Sequence, residues 1–259
     1  MSANPDYQII RINSDNRTSG TPTDFTIQFN NNYLQSMKSY IVKSVHFPNL
    51  FPNIDDRINP TTQAPTSIFT WFSTAQAGNL SVSIPVGYYS DTELAAILST
   101  FMTDAMINLP GPPTVTVSVI DGKFNFAVAG DTITILDNTV NAMADKLGIL
   151  SDDGPAASVT ASDVPNLVGE SVVFLHSRQL SQSRALLGIG RSVSSFSEIP
   201  VRTPYNSINH YENRQTNSGV SYRGTTNGTT LNIKLRSADG TILQLPDNQR
   251  VLVNLKAWY

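Results

Sequence analysis

Apolar and polar residues alternate with a period of two over most of this chain, the pattern of strands that bury one face. It is clearest in DFTIQF, through Phe25, Ile27 and Phe29, and in LNIKLR, through Leu231, Ile233 and Leu235. Tyr40–Phe47 is a further predicted strand, with Ile41, Val45 and Phe47 as core contacts on one face. Others are predicted at Ile68–Phe72, Leu80–Ile84, Val115–Ile120, Lys123–Val128, Thr132–Leu136, Ser171–Leu175 and Val193–Val201, with a closing strand through Val251, Val253 and Leu255. A short strand is expected at Tyr7–Ile12, and Leu180–Leu187 reads equally well as strand or helix. Asp121-Gly122 separates two alternating runs and is a two-residue hairpin signal. Asp239-Gly240 turns the chain toward Ile242, Leu243 and Leu245.

Two stretches switch to the helical period. Ser90 and Glu93 form an S-x-x-E capping box, and Leu94, Ile97, Leu98, Phe101 and Met102 follow on one helical face. This helix is expected to end before Pro110-Gly111-Pro112-Pro113. Val140, Met143, Ala144 and Leu147 make a shorter amphipathic helix, with Gly148 placed to cap it. The resulting core set is Leu94, Ile97, Leu98, Phe101, Val115, Phe124, Phe126, Ile133, Met143 and Leu147. Phe101→Asp is expected to unfold this segment, because a buried unpaired charge is strongly destabilising.

Strands outnumber helices, and the strands at the two ends of the chain are the best patterned. The fold expected is mainly β: two sheets packed face to face as a plain sandwich or a jelly-roll β-sandwich, with an inserted small α+β subdomain. Residues 24–73 and 170–259 would form the jelly roll, and residues 74–150 an inserted strand-helix-hairpin-helix subdomain. Residues 151–169, small, polar and rich in Pro and Gly, would connect them. Residues 1–23 read as a polar arm, of which residues 1–20 are expected to order on a neighbouring subunit at assembly, losing their own entropy only then.

Charged residues make up only 14% of the 259 residues, against about 25% in ordinary soluble domains. The deficit is filled by Ser, Thr, Asn and Gln, which lowers like-charge repulsion between packed copies. A net charge of −3 argues against direct nucleic-acid binding, which needs clustered cations. The Arg178–Arg191 segment spaces its charges among apolar residues and reads as a solvated face. With no cysteine, thiol catalysis, cysteine-based zinc sites and disulfides are excluded. No apolar run approaches the ~18 residues of a membrane span. The first residues, MSANPDYQIIRINSDN, lack the apolar core of a secretory signal. The N-x-S/T sequons at Asn16, Asn79 and Asn227 therefore read as chance.

Nothing in the sequence assembles a site. His46, His176 and His210 have no second ligand at metal spacing. His210 and Glu212 are the one close acid–imidazole pair, in a polar stretch that reads as solvated. The carboxylate pairs Asp55-Asp56 and Asp152-Asp153 lie in loops without the spaced oxygen ligands of a Ca²⁺ site. Gly188-Ile189-Gly190-Arg191 is no phosphate loop, and no G-x-S-x-G elbow is present. Trp71 reads as core. Trp258 reads either as packed within its own domain or as an aromatic anchor against a neighbouring subunit. No catalytic, cofactor-binding or metal residue and no cofactor are nominated, and the chain is expected not to be an enzyme.

Four segments resemble the minor capsid, or penton, proteins of double-jelly-roll viruses, the group of virophages, polinton-like viruses and some large eukaryotic DNA viruses. The first is T-D-F-T-I-Q-F (Thr23–Phe29) leading to S-Y-I-V-K-S-V (Ser39–Val45). The second is I-P-V-G-Y-Y-S-D-T-E-L (Ile84–Leu94), similar to the family's I-P-x-G-x-Y strand and the helix after it. The third is A-D-K-L-G-I (Ala144–Ile149), where Ile149 replaces a more usual aromatic. The fourth joins P-Y-N-S-I-N-H-Y-E-N (Pro204–Asn213), with Asn206 in place of a glycine, to I-K-L-R-S-A-D-G-T-I-L-Q-L (Ile233–Leu245). The resemblance implies a jelly roll, a homopentamer at the fivefold vertices of an icosahedral shell, contact with the major capsid protein, and location in the virion. A lectin-like or receptor-binding fibre head is the alternative. A carbohydrate-active enzyme on a β-sandwich would need two converging carboxylates, which the sequence does not nominate.

Overall fold

The computed structural model describes residues 7–30, 33–59, 61–107, 111–180, 183–186, 192–214, 220–221, 229–238 and 240–259. The chain forms two compact units, one split in sequence (Met1–Phe51 with Glu170–Tyr259) and one inserted (Pro52–Gly169). Among the described residues no helix is long and apolar enough to cross a membrane.

In chain order the split unit opens with β1 (Tyr7–Asn13), β2 (Ser19–Thr21), β3 (Asp24–Gln28), the single-turn α1 (Tyr33–Ser36) and β4 (Ser39–Asn49). The inserted unit follows with β5 (Ile68–Ser73), β6 (Gly78–Ser83), α2 (Asp91–Ala105), β7 (Thr114–Ile120), β8 (Lys123–Ala129), β9 (Ile133–Ile135), α3 (Ala144–Leu147), β10 (Asp153–Ala156) and β11 (Ser158–Thr160). The chain then returns through β12 (Val172–His176), β13 (Ser183–Leu186), β14 (Ser192–Ser195), β15 (Ser197–Pro200), β16 (Ser207–Glu212), β17 (Val220–Ser221), β18 (Thr230–Arg236) and β19 (Leu252–Trp258). The ambiguous 180–187 segment thus holds a strand, paired with β14.

Two larger antiparallel sheets frame the split unit, in the orders β1-β19-β4-β16, with β17 also on β4, and β15-β12-β18-β3-β2, beside the two-stranded β13-β14 sheet. Lettering the strands β1, β3, β4, β12, β15, β16, β18 and β19 as B to I gives B-I-D-G for the first sheet and F-E-H-C for most of the second. That is the strand order of a jelly roll, and the inserted unit occupies the D–E connection. Alternation puts Ile10, Ile12, Val253, Leu255, Val45 and Phe47 of one sheet in the same buried cluster as Phe25, Ile27, Leu231, Ile233, Val173 and Ile199 of the other. Hydrogen bonds far apart in sequence tie its edges: Thr23 Oγ1 donates to Leu243 O (2.6 Å) and Tyr40 Oη to Leu180 O (2.6 Å).

Two expectations change here. The short strand expected at Tyr7–Ile12 forms, as β1, and runs beside β19 from Tyr7↔Trp258 to Asn13↔Leu252, so this part of the segment read as a polar arm belongs to the sheet of its own unit. Ile10 and Ile12 supply the apolar face that earns this strand its place. On β4, Val45 and Phe47 face the core as expected; Ile41 is buried too, at 8% exposed, but stands outside that cluster. The register steps from Asn254↔Ser44 to Leu255↔Val42, so Lys43 is an extra residue in a bulge. The bulge reverses the alternation. Tyr40 and Val42 therefore turn inward, and Ile41 takes the opposite face.

The inserted unit contains the sheets β10-β9-β5-β6 and β11-β8-β7. Ser90 caps α2 with both halves of the predicted capping box formed. The Asp121-Gly122 turn has positive φ at both residues (51° and 75°), as a tight type I′ hairpin requires. β7 is an edge strand, and α2 covers that edge with two hydroxyls. Val117 N donates to Ser99 Oγ (2.7 Å) and Val115 N to Thr103 Oγ1 (3.0 Å). Backbone donors that could otherwise pair with another chain are thereby occupied.

Several segments sit elsewhere than the sequence pattern suggests. β5 pairs with β6 and β9 inside the inserted unit instead of joining the jelly roll. β9 does not extend the β7–β8 hairpin, and the expected connector at 151–169 contains β10 and β11, which pair with β9 and β8. Pro155 and Gly154 masked that strand signal. Of the expected Asp239-Gly240 turn, Asp239 lies outside the described residues; the flanking segments meet in one bridge, Arg236↔Ile242, with Leu243 N donating to Leu235 O (3.0 Å). On α2, Leu94, Ala95, Leu98 and Met102 are buried, while Ile97 and Phe101 only flank the core. At about 100° per residue the buried stripe centres between Leu98 and Met102, leaving Phe101 and Ile97 outside its edge. Phe101 is thus a weaker test of this core than the fully buried residues.

Candidate functional site

The face of the jelly roll turned away from its core carries the most chemically active grouping among the described residues. β16 pairs with β4 through Ser207↔Asn49, His210↔His46 and Glu212↔Ser44. Asn213 N donates to Lys43 O at 2.9 Å. Counting back from that bond, positions 211/45 and 209/47 are hydrogen-bonded pairs, and 210/46 is a non-hydrogen-bonded pair. At such pairs the side chains stand closest. The two imidazoles meet Nδ1 to Nδ1 at 3.0 Å, with ring centroids 4.3 Å apart. Burial, and then the charge of His210, hold His46 below the ordinary histidine value of 6.5.

Around this pair the face is mixed. Glu212 turns to Lys43 (3.5 Å), so the sequence-adjacent His210–Glu212 pairing gives way to a cross-strand His–His pair and a Lys–Glu pair. Ile208, opposite Pro48, is 69% exposed. At the far edge Trp258 lies across from Tyr7. The Lys256 ammonium sits 3.9 Å from the Tyr7 ring centroid and 5.1 Å from that of Trp258. Trp258 is thus partly exposed on an outer face, held in an aromatic–cation row. Trp71 is fully buried and stacks on Phe69, the core position expected of it.

The remaining singled-out residues are occupied locally. Asp55 accepts from Arg57 Nε (2.8 Å), Thr66 Oγ1 (2.8 Å) and its own loop at Arg57 N (3.0 Å). Asp56 accepts from Ser67 (2.6 Å). Asp152 accepts from Asp137 N (2.8 Å) and Asp153 from Ser162 (2.9 Å). All four carboxylates brace loops. Among the described residues no group of three or more His, Cys, Asp or Glu is placed to hold a metal ion. Gly188-Ile189-Gly190-Arg191, and with it the end of the Arg178–Arg191 segment, lies outside the described residues.

Burial pushes the Asp55 carboxyl up, but the Arg57 and Thr66 contacts outweigh it and hold the group below its ordinary 3.8. Because the folded chain binds its proton more weakly than the unfolded chain, this contribution to stability is present above about pH 4 and lost as pH falls through the folded value. Asp55→Asn is therefore expected to lower the unfolding midpoint at neutral pH and to leave a smaller drop between about pH 4 and pH 2. Thermal melts of both forms across that window check it; parallel acid profiles would contradict the assignment.

No family model matches this chain, and no curated protein matches it. Among solved structures, the crystal structure of the mavirus penton protein aligns over 97% of this chain and 99% of its own, at a TM-score of 0.54 and 14% identity. The fold is similar to that of the mavirus penton protein. The cryo-EM structure of the Sputnik virophage also aligns, over 99% of this chain and 98% of the matched one, at a TM-score of 0.47 and 11% identity. The mavirus alignment spans the chain almost end to end, so the likeness takes in both the split jelly roll and the inserted unit.

Proposed function

We propose that this chain is a structural protein of a viral shell, acting as the penton subunit that closes the fivefold vertices of an icosahedral capsid. The observation that carries the reading is the near full-length likeness to the mavirus penton protein in both directions. The separately read I-P-V-G-Y and A-D-K-L-G-I segments support it. On this reading the chain forms a homopentamer, meets the major capsid protein, resides in the virion and carries out no catalysis. A closed ring needs head-to-tail surfaces. The outer sheet face with Tyr7, Ile9, Trp258 and Ile208 is proposed as part of such a surface, since large aromatics are enriched in interface cores.

Native mass spectrometry of the purified chain, followed by co-expression with the major capsid protein and cryo-EM, tests the proposal. Pentamers, or density for this chain at the vertices of assembled shells, are the expected result. A trimer that binds glycans and is absent from the shells would replace the penton reading with the fibre-head one.

A further inference from the structure

His46 and His210 face outward from the sheet as a directly opposed pair of imidazoles, Nδ1 to Nδ1 at 3.0 Å. We propose that the pair is a two-point chelating site for a divalent transition-metal cation of the Zn²⁺, Ni²⁺ and Cu²⁺ group, which clips β16, the outermost strand of its sheet, to β4. The inference stands independently of the capsid reading.

Geometry comes first. The two Nδ1 atoms are 3.0 Å apart. With metal–nitrogen bonds of about 2.0–2.1 Å, that separation subtends about 95° at the metal, near a square-planar or octahedral angle. Opening to the tetrahedral angle preferred by zinc requires an N···N distance of about 3.3 Å, a change of only about 0.3 Å. Turning each ring so that its Nδ1 lone pair leaves the N···N axis by about 35–45° supplies it and brings the two lone pairs to a common point on the solvent side.

Backbone rigidity comes second. The two residues are directly opposed at a non-hydrogen-bonded position, between hydrogen-bonded pairs on either side. The strand ladder thus sets the spacing of the ligands before the metal arrives, and little side-chain freedom remains to be lost.

Access and charge come third. His210 is exposed and His46 half-buried, so a hydrated cation reaches the pair and keeps water in its remaining positions. Of the charged groups on the two strands, Lys43 and Glu212 pair with each other (3.5 Å). On the other side of His46 stands Leu252 of β19, and beyond it Asn254, whose amide donates to Ser44 Oγ (2.8 Å). No carboxylate of these elements therefore competes for the imidazoles by ion pairing. Two neutral nitrogens without an oxygen ligand select imidazole-preferring metals over Mg²⁺ and Ca²⁺. In the metal-free pair one Nδ1 donates to the other. On binding, that proton moves to the Nε2 of the same ring, leaving both Nδ1 lone pairs on the metal.

Isothermal titration calorimetry of the full chain with ZnCl₂ at neutral pH in a non-chelating buffer tests the site. One Zn²⁺ per chain, no heat with MgCl₂, and loss of binding in both His46→Gln and His210→Gln are expected. The unfolding midpoint of the unsubstituted chain should rise with ZnCl₂ and return with EDTA, since a ligand that binds only the folded state stabilises it. A second readout needs no variant: sub-stoichiometric CuCl₂ should broaden the NMR resonances of the His46 and His210 rings and spare those of His176. Binding retained in either single variant, no binding by the unsubstituted chain at millimolar ZnCl₂, or broadening confined to His176 would overturn the proposal.

Discussion

Phe126→Ala is expected to destabilise the inserted unit by about 3–5 kcal/mol, the range for removing a buried phenylalanine. Phe126 is fully buried in the middle of β8, the central strand of its sheet. Its ring stacks on Phe69 with centroids 5.6 Å apart and planes 9° from parallel, and Phe69 in turn stacks on Trp71 at 5.6 Å. Phe124 tilts against it at 6.3 Å. The row joins the β7–β8–β11 sheet to the sheet holding β5, so one truncation removes side-chain contacts between them. The backbone on both sides of Phe126 is held at Val117 and Val159, which limits collapse into the vacated space. Urea unfolding followed by near-ultraviolet circular dichroism measures the loss. A cost under about 1 kcal/mol would mean that the aromatic row is not the centre of this core.

Gly148→Ala is expected to cost at least about 2 kcal/mol, and Gly130→Ala distinctly less. Gly148 ends α3 with a left-handed backbone at φ 76°, a conformation that costs an L-residue roughly 1–2 kcal/mol. Its second demand is space. A Cβ there would stand 2.3 Å from Asp163 O and 2.7 Å from both Asp163 C and Val164 O, all backbone atoms. The chain passes that close because Asp163 N donates to Gly148 O at 2.8 Å. Gly130 also has a positive φ (89°), yet nothing lies within 4 Å of its added Cβ. The difference between the two alanine variants therefore isolates the backbone collision from the torsional cost. Equal shifts in the urea midpoint would show that residues 163–164 move aside freely.

The features legible beforehand are those whose cause lies within a few residues. Ser90 and Glu93 sit one helical turn apart and cap each other wherever α2 goes. Asp121-Gly122 can adopt the two positive φ values its turn needs. Gly148 was recognisable as a helix end, but the passing backbone at Asp163 that makes it indispensable was not. The His46–His210 pair was the least legible feature. The residues are 164 positions apart, and His210 lay in a stretch read as polar and solvated, where β16 (Ser207–Glu212) was not predicted. A heuristic existed in principle: both lie at the polar phase of strands, so a correct β4–β16 pairing would have joined them.

By itself the sequence determined that this is a strand-rich chain of low charge, with one strongly capped helix, a tight hairpin and well-patterned alternating strands at both ends. Period-two burial, capping and turn chemistry act on the nearest neighbours and survive any arrangement of the rest. The tertiary structure decided which sheet receives β5 and β9, that the Tyr7–Asn13 strand pairs with β19 of its own unit, and that Ile41 is buried outside the jelly-roll cluster. Those outcomes depend on which distant strands bury each other's apolar faces best, and at β4 on a single extra residue, Lys43, that reverses the side-chain alternation.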